Sequence, residues 1–135
     1  MAQEVAAGPA PSAAAQVFAV RAFRGSDLPF VRDSWLRSAW DVQNRQLKSS
    51  GVRSRARALA GAAWQGINRP KVTAMLLEPG GVVVTLACDR GDDDHLAGWL
   101  AVKGPSVVYA YTKAAYRGWG LIQMLADAAG VEWRR

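Results

Sequence analysis

The stretch Val107–Ala129, VVYAYTKAAYRGWGLIQMLADAA, changes its period half-way along. Ser106–Thr112 reads as a strand rich in β-branched and aromatic residues. Gly118–Ala129 instead brings Leu121, Met124, Leu125 and Ala128 to one side at helical spacing, with Gly130 as a natural C-cap. Between them, Arg117-Gly118-Trp119-Gly120 turns strand into helix. Such a junction suits an anion. The first N–H groups of a helix have no internal partner, the helix dipole favours negative charge there, and glycines let a phosphate approach the backbone. Arg117 can add a charge-assisted bond. A glycine pair before a helix is also common as a plain tight turn, so the spacing alone leaves both readings open.

Upstream of this unit the chain reads as two more strands, Val82–Cys88 and Leu96–Val102, joined by a polar turn over Asp89–His95. Lys103-Gly104-Pro105 makes the next turn, giving an antiparallel meander. Before it lie helical patterns. Asp27–Trp40 carries Leu28, Val31, Trp35, Leu36, Ala39 and Trp40 at helical spacing, with Ser26 as the expected N-cap and Pro29 in the first turn. Val52–Gln65 reads as a second helix, and Pro70 is expected to open a separate piece, Lys71–Leu77, stopped by Glu78-Pro79-Gly80-Gly81. Val17–Phe23 alternates as a first strand. Met1–Gln16 is Ala-rich with two prolines and reads as an extended arm. The order is therefore β-α-α-β-β-β-α, an α+β class with a mostly antiparallel sheet flanked by helices. The expected organisation is an arm over 1–16 and a single domain over 17–135.

With 135 residues, half of them hydrophobic, the chain has enough material for one real core. No apolar run approaches the roughly 20 residues of a membrane-spanning helix, and Met1–Gln16 lacks the basic start and apolar core of a secretory signal. The single cysteine, Cys88, sits in an apolar run and is expected in the core; no disulfide can form within the chain. A net charge of +6 favours a polyanionic neighbour such as nucleic acid, coenzyme-A phosphates or an acidic protein surface. Arg53, Arg55 and Arg57, spaced by two, spread around a helix and read as a solvated surface. Asp92-Asp93-Asp94 reads as a solvated turn and His95 as a surface histidine, so no metal ligand and no catalytic residue is assigned. Tyr109 and Tyr111, alternate on one strand, either pack on the sheet or face a cleft.

The aromatic-rich strand, the Lys113-x-x-Tyr116-Arg117-Gly118-x-Gly120-Leu121 turn and the amphipathic helix resemble motif A of the GNAT acetyltransferase superfamily. The order of elements from Val17 to Gly130 agrees with that resemblance. The Ser34-Trp35-Leu36-Arg37-Ser38 stretch is similar to small GNAT-like proteins encoded by bacteriophages. The resemblance implies that strand Val107–Thr112 holds the pantetheine arm of acetyl-CoA. It also implies that Arg117, Gly118, Trp119, Gly120, Leu121 and Ile122 hold the pyrophosphate, with Tyr109 and Tyr111 as further candidates. Three features depart from the family. Ile122 stands where a small residue closes the turn, Trp119 where a small or polar one is usual, and the sequence stops at Arg135 where members continue with further strands and a helix.

Two functions follow as expectations. The first is a non-catalytic GNAT-fold protein of an oligomeric assembly, a bacteriophage virion component beside portal or tail subunits and near packaged DNA, without a cofactor. The second is an acetyl-CoA-dependent N-acetyltransferase acting on an amine in the host cytoplasm. A truncated gene product is a third reading.

Overall fold

A computed structural model of the chain describes residues 11–133. The order is α1 (Pro11–Val17), β1 (Phe18–Ala22), α2 (Leu28–Ser49), α3 (Ser54–Leu77), β2 (Val83–Asp89), β3 (Asp92–Lys103), β4 (Ser106–Thr112) and α4 (Leu121–Ala129). The class is α+β, with one four-stranded antiparallel sheet in the order β1-β2-β3-β4. The described residues gather into two compact units, one of residues 11–23 with 82–133 and the other Arg24–Gly81.

The first unit holds the sheet. On one face Ala87, Leu100 and Val102 meet Leu121, Leu125 and Ala126 of α4, Phe18 of β1 and Ala14 of α1, and on the other face Val84, Leu86, Trp99 and Ala101 are buried as well. Ala128, expected on the inward face of α4, is exposed, and Ala126 takes that place. Nearly every position of α4 is apolar, so its spacing admits two faces and packing chooses between them. Within the expected arm, residues 11–16 belong to α1, and only residues 1–10 lie outside the described part. The reason is long-range: Ala15 offers its carbonyl to the Arg90 guanidinium at 2.6 and 2.9 Å, and Ala14 is fully buried.

The β2–β3 turn is shorter than the polar stretch suggested. It is the Arg90-Gly91 pair, with Gly91 N–H donating to the Asp89 carboxylate at 2.7 Å, and Asp92 already belongs to β3. Cys88 is buried as expected. Gly98 is required where β3 and β4 pair, because a Cβ there would stand 2.6 Å from the Tyr111 carbonyl.

The second unit is a hairpin of two long helices. α2 runs on to Ser49 rather than stopping near Trp40, because Gly61 of α3 leaves room for the Trp40 ring, 3.0 Å from where a Cβ would sit. Trp40 and Trp64 rings lie 5.8 Å apart, and Arg57 ties the helices by donating to Asn44 at 2.9 Å and to the Val52 carbonyl at 2.7 Å. The start of α2 also differs from expectation. A short 3-10 turn, Gly25–Asp27, precedes it, and buried Asp27 rather than Ser26 holds the entry by accepting the Arg24 N–H at 2.7 Å. α3 does not break at Pro70 but carries it inside. The missing N–H deprives the Gly66 carbonyl of its usual partner, a cost the rest of a 24-residue helix absorbs.

Candidate functional site

Strand β4, the turn after it and the start of α4 surround a groove of about 780 Å³. Three local features build it. Lys113 N–H donates to the Ala97 carbonyl at 2.9 Å, which ties the end of β4 to its neighbour. A 3-10 turn at Ala114–Tyr116 then redirects the chain. Gly118 and Gly120 finish the redirection with φ of 86° and 77°, the left-handed region that favours glycine. The first intrahelical bond of α4 is Met124 N–H to Gly120 carbonyl at 3.1 Å, so the N–H groups of Leu121, Ile122 and Gln123 lie ahead of the helical ladder.

The turn residues named from the sequence divide into two groups. Arg117, Gly118, Gly120, Leu121 and Ile122 line the groove together, with Thr112, Tyr116, Gln123 and Trp133. Trp119 does not. Its indole packs edge-on against Phe18 at 5.9 Å and Tyr116 at 6.0 Å, on the core side of the turn. Tyr109 and Tyr111 are not in the lining either. They stack on Trp99 at 5.7 and 6.2 Å, on the sheet face opposite Leu100 and Ala110. Ile122 does both things: it borders the groove and packs partly against the core. Thr112 belongs to the strand the resemblance implied; sequence reasoning missed Gln123 and Trp133. Gln123 is adjacent to the motif and could have been found by extending it; Trp133 carries no local signal, since its place depends on the turn after Gly130.

The groove's lining carries one fixed positive charge, the exposed Arg117 guanidinium, and one further ionisable side chain, the Tyr116 phenol. Tyr116 is held by Phe18 at 5.0 Å and lies 6.3 Å from the His95 ring. The remaining polar groups are backbone N–H, the Thr112 hydroxyl and the Gln123 amide, a donor set suited to an anion with several oxygens. Strand β4 adds a bulge: Ala101 pairs with Tyr109 and Val102 with Val107, leaving Val108 outside the ladder. β4 pairs only with β3 among the described residues, so its outer edge faces a second hollow lined by Val107–Ala110, Glu132 and Trp133.

Comparison with protein-family models, curated proteins and solved structures returns no match. Elsewhere in the sheet unit, Asp92, Asp93 and Asp94 bring carboxylate oxygens within 4.8 Å of one another, but all three are exposed. His95 is partly exposed, 3.8 Å from the Asp89 carboxylate. No described helix is long and apolar enough to cross a membrane.

Proposed function

We propose that this chain is a GNAT-like protein whose β4–turn–α4 groove holds the pyrophosphate of acetyl-CoA, and that its chemistry is acyl transfer to an amine. One observation carries the reading. The residues implied for the pyrophosphate by resemblance, Arg117, Gly118, Gly120, Leu121 and Ile122, line one groove together at a helix N-terminus. A second point supports it: Trp119, which stood as an obstacle in the sequence, has its ring packed towards the core. The bulged, outward edge of β4 offers backbone groups for an amide-bearing pantetheine arm. Titration calorimetry with acetyl-CoA tests the reading: binding should weaken in Arg117→Ala and be lost in Gly120→Val.

The assembly reading is the alternative, favoured by the outer edge of β4, which lacks a partner strand among the described residues. Such an edge accepts a strand from another chain. In this reading the neighbours are portal or tail subunits of a bacteriophage particle, the +6 charge suits packaged DNA nearby, and no cofactor is used. Light scattering separates the two. An assembly held by β4 loses mass when Val108 is changed to Pro, and the groove variants leave it unchanged.

A further inference from the structure

Helix α3 is apolar on two opposite sides. One side carries the buried Gly61, Val72 and Leu76. The other, at spacings of three, four and, at the end, seven, carries Ala56, Leu59, Ala63, Gly66, Pro70 and Leu77, all exposed. Leu59 is 69% exposed, Leu77 55%, and Ile67 beside them 59%. No charged residue stands among these positions, and a contiguous exposed apolar patch marks an interaction site. The stripe also has relief. Around Pro70 there is a hollow of about 570 Å³ bordered by Gly66, Thr73, Ala74 and Leu77, and also by the charged Arg69 and Glu78. About three turns before Pro70 on the same stripe, Leu59 stands out as an apolar knob.

We propose that this face binds α3 of a second copy, antiparallel, with Ala63 of each copy against Gly66 of the other. Small residues at the crossing let the two backbones approach closely. The same register places each Leu59 in the other copy's hollow at Pro70, so the contact is self-complementary and closes as a dimer. Charge selects the direction. α3 contains no acidic residue, while Arg53 stands at its start and Glu78 just past its end. In this register Arg55 of one copy faces Ala74 of the other, Arg69 faces Ala60 and Lys71 faces Ala58, so no like charges meet, and Glu78 comes within two positions of Arg53. Parallel pairing would set Arg55 on Arg55 and Arg69 on Arg69. A lipid surface would suit the basic flanks but has no knob for the hollow.

This inference stands on residues of Arg24–Gly81 alone and does not rest on the groove. Sedimentation equilibrium of the full chain tests it. Two copies of 14.5 kDa are expected, and Leu59→Glu weakens the dimer by about thirtyfold or more with an unchanged circular dichroism spectrum. Ala63→Cys combined with Gly66→Cys gives a crosslinked dimer on oxidation, which the parent, with only buried Cys88, does not. A monomer at every concentration overturns the inference. So does a dimer indifferent to Leu59→Glu, which would put the contact elsewhere, or a monomer that co-sediments with phosphatidylserine vesicles through Leu59, which would give the stripe to a membrane. None of these outcomes bears on acetyl-CoA binding.

Discussion

Phe18 sits under the turn that shapes the groove, buried at the start of β1 with its ring edge-on to Tyr116 and Trp119. Truncating it removes the floor of the turn as well as core volume. Phe18→Ala is expected to cost about 3–5 kcal/mol in urea unfolding, and to weaken any ligand held above it. Gly120 acts through its backbone instead. At φ 77° a side chain costs about 1–2 kcal/mol, so Gly120→Val should show a modest loss of stability and a much larger loss of binding. At this scale the sequence was partly legible. The left-handed turn at Gly118 and Gly120 could be read in advance because backbone conformation is a local property. The direction of the Trp119 ring was not legible, since it depends on Phe18, distant in sequence. Tyr109 and Tyr111 were left open for the same reason, and their partner proved to be Trp99 on the neighbouring strand.

At the scale of elements, the strands and the last helix could be read from their periods, and the helical hairpin could not be delimited. Asp27–Trp40 looked complete because polar residues follow it, yet α2 continues to Ser49 through contacts that only α3 supplies. Pro70 looked like a helix start and is an interior residue. An interior proline costs about 3 kcal/mol, offset by about 0.4–1 kcal/mol of stiffening in the unfolded chain. Pro70→Ala should therefore raise stability by about 2 kcal/mol in chemical unfolding. Asp27 is the opposite case, a buried carboxylate whose acceptance of the Arg24 N–H fixes the entry to α2. Asp27→Ala is expected to lower stability by about 1–3 kcal/mol, measured the same way.

For the molecule as a whole, composition and element order were enough for the α+β class, because antiparallel meanders and amphipathic helices each carry their own period. The two-unit grouping of contacts was not legible, since it depends on which elements pack together and not on what each element is. Function hangs on whether the groove takes an anion. Its donors are one exposed guanidinium and a helix N-terminus, so binding should weaken as salt rises from low ionic strength. Titration calorimetry of the folded chain with acetyl-CoA at low salt is the most direct measurement. The account predicts micromolar binding, weakened about tenfold by Arg117→Ala and lost in Gly120→Val. A folded wild-type chain that gives no binding heat at millimolar acetyl-CoA, at more than one temperature, would contradict it.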